Sequence, residues 1–191
     1  MHNFDPKSTA LVLVDLQQGI LGMELAPRSG ADVLESATIV AQRFRDAGAL
    51  VVLVRVAFSD DFADAPPRQV DQPMARPENG LPKEWSTLAP GLLDLANLIV
   101  TKRQWGAFHG TELDLQLRRR GIRTVVLGGI ATNFGVESTG REAWEHNYDV
   151  VVLEDLCASS SIDLHKMAIT HIFPRFSRVV DSTTLELISQ Q

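Results

Sequence analysis

Five short aliphatic and β-branched runs punctuate the chain, none alternating apolar with polar positions. They are Ala10–Val14 (ALVLV), Ala49–Val56 (ALVVLVRV), Asn97–Thr101 (NLIVT), Arg123–Gly129 (RTVVLGG) and Asp149–Asp155 (DVVVLED), with a weaker sixth at Ser177–Val180. A strand that does not alternate is apolar on both faces, which predicts a parallel sheet covered by helices on both sides. Helical patterns fill the gaps. One places Val33, Leu34, Ala37, Val40, Ala41 and Phe44 on a single stripe and stops at Gly48. Another opens on the cap residue Thr111 and gathers Arg118, Arg119 and Arg120 at its C-terminal end, where the helix dipole favours positive charge, before Gly121 ends it.

The alternation breaks between Phe58 and Gly91, where Pro66, Pro67, Pro73, Pro77, Pro82 and Pro90 collect among Asp, Gln and Gly. So long a connection inside a compact domain is expected to be functional surface: a lid, a binding loop or a subunit contact. Its apolar members Phe62, Met74, Leu81 and Trp85 lack obvious cover, which predicts a homo-oligomer with this segment near the contact.

Composition narrows the class. The chain has 191 residues, 45% of them hydrophobic and 22% charged, which fits one α/β domain spanning residues 1–191. A net charge of -6 argues against a nucleic-acid or membrane-surface role and for a small-molecule partner. One cysteine, Cys157, excludes an internal disulfide framework. No targeting pattern opens the sequence and no apolar run approaches the roughly 20 residues of a membrane span, so the expected location is cytoplasmic.

In an open parallel sheet, ligands bind at the carboxyl ends of the strands. The first run ends on Asp15. The third leads into Lys102, followed by Trp105 and Phe108, and the fourth delivers the turn Ile130-Ala131-Thr132-Asn133 ahead of Gly135. An acid, a base and a backbone turn are thereby aimed at one rim. Singly, each has a plain reading: Asp15 as a turn cap, Lys102 as a solvated strand end, Trp105 and Phe108 as core. In the turn, Asn133 can cap a helix and free amides can hold an anion or a developing oxyanion.

Competing chemistries lack their residues. Neither G-x-G-x-x-G nor G-x-x-x-x-G-K-[ST] occurs, and Asp15 has no second carboxylate two residues on. The five histidines show no metal-ligand spacing. Asp60, Asp61 and Asp64 read as a solvated face. Ser138 lies outside a nucleophile-elbow context, and Cys157 reads as a small buried residue.

Taken together, ALVLVDLQQG, the stretch from Lys102 to Trp144 and DVVVLEDLCASS resemble the isochorismatase-like hydrolases, also called cysteine hydrolases. The resemblance implies a Rossmann-like three-layer α/β/α sandwich on a six-stranded parallel sheet of order 3-2-1-4-5-6. In the family's amidases an Asp, a Lys and a nucleophilic Cys form a triad, and by position these are Asp15, Lys102 and Gly135. Glycine has no side chain, so thiol catalysis is unavailable here. The resemblance then points to the glycine-bearing members, the isochorismatases proper, in which the Asp is the acid-base group for vinyl ether cleavage by water. It also implies a cis peptide at Ile130-Ala131, with the Ala131 and Gly135 amides turned into the pocket. The family's metal-binding amidases carry an Asp-x-His motif after the second strand, where this chain reads VRVAFSDD, so the resemblance implies no catalytic zinc and no cofactor.

Two readings follow. The first is a hydrolase that activates water, with Asp15, Lys102, Gly135 and the Ala131 amide catalytic and with Gln17, Trp105, Phe108 and Thr132 binding a small substrate. Arg55, Arg68 and Arg103 are available for substrate carboxylates. The second is a non-catalytic binding or assembly protein on a hydrolase fold that lost its nucleophile. A buried Asp–Lys pair without a task adds desolvation cost for little stability, which favours the enzyme. The expected state is a homodimer or homotetramer.

Overall fold

The structure, a computed structural model, describes residues 2–188. Its centre is β2 (Thr9–Val14), all of whose residues are buried. Around it lie β3 (Leu50–Val56), β4 (Leu98–Lys102), β5 (Thr124–Ile130), β6 (Asp149–Ala158) and β7 (Arg178–Val180). The sheet runs β4-β3-β2-β5-β6-β7 with every pairing parallel, the order that the family resemblance implies.

The pleat explains why these runs do not alternate. Leu11, Leu13, Val51, Leu53 and Val126 face the layer containing α2 (Gly30–Asp46), while Val12, Val14, Val52, Val54 and Leu127 face α4 (Leu113–Arg119) and α5 (Glu137–Glu145). Both faces are core, so both must be apolar. Helix α2 begins in a capping box between Ser29 and Asp32, which occupies amides with no intrahelical partner. It stops before Gly48, whose φ of 75° suits glycine. Its stripe buries Val33, Ala37, Val40, Ala41 and Phe44, with Leu34 half-covered. Truncating Phe44 to Ala would cost about 3–5 kcal/mol.

Three local features depart from the sequence reading. A two-stranded parallel sheet joins β1 (His2–Phe4) to β8 (Leu185–Leu187), in segments too short to carry a pattern. The chain after β5 enters α5 through a π turn at Thr132–Val136, so Gly135 lies inside that turn and not at the first residue of a regular helix. Asn133 does not cap it: its side-chain oxygen accepts from the Ser159 hydroxyl.

The proline-rich stretch holds only α3 (Pro90–Leu93), at its end. Its apolar side chains are covered mainly from within the chain. Phe62 is buried, and Phe58 packs against both Phe62 and Trp85. Gly19, in α1 (Gln18–Leu21), lets Trp85 lie flat on the chain, since a Cβ there would come within 2.0 Å of the indole. Met74 remains exposed. No helix among the described residues is long and apolar enough to cross a membrane.

Candidate active site

The site forms where β2, β4 and β5 end. Asp15 follows the last residue of β2 with φ at +56°, a left-handed conformation that Asp tolerates better than most residues. Its amide donates to Val54 O at 2.8 Å, which fixes the turn against β3. Lys102 is the last residue of β4, two strands away. Its long side chain closes the gap: Nζ donates to Asp15 Oδ2 at 2.8 Å and to the Gln104 carbonyl at 3.0 Å. Both residues are buried, at 6% and 2% exposure.

The two Asp15 oxygens differ. Oδ2 takes the Lys102 ammonium, whereas Oδ1 is buried and has no hydrogen-bond partner. Burial pushes the Asp15 carboxyl up to about 6, against the opposing pull of the Lys102 charge and hydrogen bond and of the Val56 amide. A carboxyl in that range can exchange a proton near neutral pH, and the unpartnered Oδ1 is the atom placed to do so.

Gly135 lies beside this pair. A Cβ on it would sit 3.2 Å from Asp15 Oδ2 and 3.0 Å from Val14 Cγ1. The approach of β5 to β2 beneath it depends on Gly129, at φ 126°, where a Cβ would come within 2.1 Å of Val14 O. The peptide Ile130-Ala131 is cis. Ala131 O accepts from the amides of Phe134 and Val136 at 3.1 and 3.2 Å, closing the π turn, and Thr139 Oγ1 donates to Gly135 O at 2.7 Å.

The remaining sequence candidates separate. Trp105 is 61% exposed and packs on Phe134 at a ring-centroid distance of 4.8 Å, so the aromatic pair immediately before Gly135 includes a residue the sequence reading passed over. Phe108 is core: it is 4% exposed and lies against His146 and Tyr148. Gln17 is buried and spent on the scaffold. Its Nε2 donates to Val56 O and Trp85 O at 3.0 and 3.1 Å, and its Oε1 accepts from Val56 N at 2.9 Å. Thr132 is buried with its hydroxyl against His165 Nδ1 at 2.9 Å. Among the arginines, Arg103 pairs with Asp64, Arg55 donates to Thr101, and Arg68 is exposed on the proline-rich segment.

Cys157 is fully buried, donates to Leu153 O at 3.2 Å and has its thiol pushed up to about 12 by burial, all of which suits a core residue. No cluster of three or more His, Cys, Asp or Glu that could hold a metal occurs among the described residues.

The sequence reading missed a charged chain behind the turn. Arg28 forms a two-point ion pair with Glu154, Glu154 Oε1 meets His165 Nε2 at 3.0 Å, and His165 meets Thr132. Its members are spread over 137 positions of sequence, from 28 to 165, and no local spacing connects them.

A family profile described as an isochorismatase domain matches residues 9–184. The chain is 47% identical over 181 residues to YecD of Escherichia coli O157:H7, named as an uncharacterized isochorismatase family protein, covering 94% of this chain and 95% of that one. It is 43% identical over 190 residues to the similarly named YwoC of Bacillus subtilis, covering 98% and 96%. A solved isochorismatase family protein from Burkholderia thailandensis matches with a TM-score of 0.87 at 44% identity, over 94% of each chain.

Proposed function

The chain belongs to the isochorismatase-like hydrolase family, and from that premise we propose that it hydrolyses a small molecule by Asp15-assisted attack of water, without a covalent enzyme intermediate. The observation that carries this reading is the Asp15 carboxylate: one oxygen is held by Lys102 at 2.8 Å and the other is buried and unpartnered, beside a residue with no side chain.

A vinyl ether is the substrate class this arrangement serves best. Protonated Asp15 delivers its proton from Oδ1 to the enol carbon, leaving an oxocarbenium ion. Water adds to the cationic carbon and returns a proton to Asp15, and the hemiketal collapses to a carbonyl compound and an alcohol. One water is consumed and Asp15 ends as it began. The acid must be protonated to react, and the burial that raises its pKa to about 6 keeps that form populated up to about that pH. Lys102 keeps Oδ2 in place and is the charge that steadies the conjugate base. Gly135 leaves room beside Asp15, and the Ala131 and Gly135 amides serve the negative charge that develops on the departing alcohol oxygen as the hemiketal collapses. The Trp105–Phe134 pair supplies an apolar wall at the mouth.

The deciding experiment measures turnover of isochorismate, a simple vinyl ether and simple amides by wild type and Asp15→Asn. Vinyl ether cleavage that falls by about 10² to 10⁴ in Asp15→Asn supports the reading. Binding without turnover by wild type would replace it with that of a binding protein.

A further inference from the structure

We propose that His165 is a positioning residue for the turn beside Asp15: held by the Glu154–Arg28 ion pair, it fixes the Thr132 hydroxyl and thereby the Ala131 and Gly135 amides. The inference rests on the proposed role of that turn in hydrolysis.

The direction of the hydrogen bonds follows from the partners. A Glu154 carboxylate only accepts, so Nε2 of His165 carries the hydrogen that meets it at 3.0 Å. Burial lowers the imidazole's pKa, which keeps the ring neutral at pH 7. Nδ1 is then an acceptor, and Thr132 donates its hydroxyl hydrogen at 2.9 Å. The Thr132 hydroxyl and the His165 N–H each have one acceptor, which locks both the ring and the Thr132 rotamer.

The anchor behind the ring is rigid. Arg28 donates to both Glu154 oxygens, at 3.0 and 2.8 Å, and also to the Glu154 carbonyl at 3.2 Å. Glu154 lies where β6 bulges: pairing with β5 jumps from Leu127–Val152 to Gly129–Cys157, and the residues between leave the ladder. Arg28 immediately precedes the capping box of α2, and His165 projects from α6 (Ile162–Met167), capped by Ser161. Three elements, the start of α2, β6 and α6, are thus linked through His165 to Thr132, which follows Ala131 directly and precedes Gly135 by three residues.

The turn's own bonds close it on the Ala131 carbonyl, from the Phe134 and Val136 amides, but leave the Thr132 side chain to His165. The Thr139 hydroxyl holds the Gly135 carbonyl and Ser159 holds Asn133, both on the far side of Thr132 from Ala131. A neutral histidine buried only to fill space needs no carboxylate behind it, and a carboxylate there needs no arginine. The linear order Arg28, Glu154, His165, Thr132 ends at the atom that orients the amides, as outer partners orient ligands in other sites.

The test compares Thr132→Val, His165→Leu, their double variant and Thr132→Ser with wild type. Two readouts need no substrate: the amide resonances of Ala131 and Gly135, and the titration midpoint of the Asp15 carboxyl by carbon NMR. A loosened turn admits water, so the midpoint falls by about half a unit or more in Thr132→Val and His165→Leu. The double variant adds nothing further, and Thr132→Ser restores both readouts. Where a substrate is turned over, kcat falls by roughly 10 to 10² with KM within about threefold. Val and Leu variants that leave the Gly135 amide and the Asp15 midpoint at wild-type values overturn the proposal. If His165→Leu does not fold, the near-isosteric Thr132→Val decides alone. Absence of turnover by wild type, with the NMR shifts present, would sink the hydrolase reading and leave the positioning intact.

Discussion

Lys102 reaches Asp15 at 2.8 Å although the whole of β3 lies between their strands. The pair holds the carboxyl ends of β2 and β4 to each other through side chains alone, in a setting where neither charge meets solvent freely. Removing one member strands the other. Lys102→Met keeps the length and apolar stem and deletes the charge, and a buried pair broken this way costs about 3–5 kcal/mol. The loss should be largest at pH 7.5 and smaller at pH 5, because Asp15 without its cation protonates more readily and becomes neutral. Urea unfolding of both proteins at the two pH values measures this; an equal loss at both would show that Asp15 stays charged without Lys102.

Asp15 also ties activity and stability to pH in a stated direction. Its folded pKa, about 6, lies above the ordinary 3.8, so the native state binds more protons than the unfolded chain between those values. The Asp15 contribution to stability is therefore fully present below about pH 3.8 and lost as pH rises through about 6. Other carboxylates, Glu154, Asp114 and Asp181 among them, are lowered and act in the opposite sense. The difference in unfolding free energy between wild type and Asp15→Asn isolates the term: it should move against wild type as pH climbs from 4 to 7. With Asp15 as the acid, kcat/KM should decline above about pH 6. A profile that instead rises through pH 6 would make Asp15 a base.

Gln17 performs a structural task that its place two residues after Asp15 disguises. Its amide continues the edge of β3 through Val56 and ties in the proline-rich segment at Trp85. Gln17→Leu keeps the bulk and leaves those backbone groups unpaired, each at a cost of ~1–3 kcal/mol. Amide exchange should quicken across residues 57–88 while β2 stays protected. Unchanged exchange in that segment would show that the Phe58, Phe62 and Trp85 contacts hold it unaided.

The meeting of Asp15, Lys102 and the turn was legible because it depends on short-range signals: an apolar run, the polar residue that ends it, and the rule that parallel strands present their carboxyl ends together. The strand order followed from the family resemblance, since no local pattern says which strands are neighbours. What stayed hidden depends on long-range pairing. Phe108 and Trp105 are three residues apart on one loop, yet one enters the core and the other faces out, and nothing local distinguishes them. Asn133 has a capping side chain in a capping position, but Ser159, just past the end of β6, claims it. Strands β1 and β8 hold three residues each and exist through each other. His165 acquires its meaning only from Glu154, placed by a bulge that no residue pattern announces.

Gly135 separates the enzyme from the binding protein. A methyl group there lies 3.2 Å from Asp15 Oδ2 and 3.0 Å from Val14 Cγ1, closer than ordinary packing, so Val14 or Asp15 must give by a few tenths of an ångström. Gly135→Ala should fold, with a stability change of about 1 kcal/mol, and should slow turnover by crowding the space beside the carboxylate. Gly135→Cys places a thiol between an acid and a cation, where thiolate formation is favoured over that of a buried cysteine. The native background for its detection is low, because Cys157 is fully buried and its thiol is pushed up to about 12. Native wild type should therefore resist iodoacetamide, whereas Gly135→Cys should label and gain weak amidase or esterase activity. A Cys157→Ser background makes the count unambiguous. If the new thiol stays unlabelled in the folded protein and Gly135→Ala turns over substrate as fast as wild type, the space beside Asp15 is not where substrate reacts. The water-activating mechanism would then lose its site.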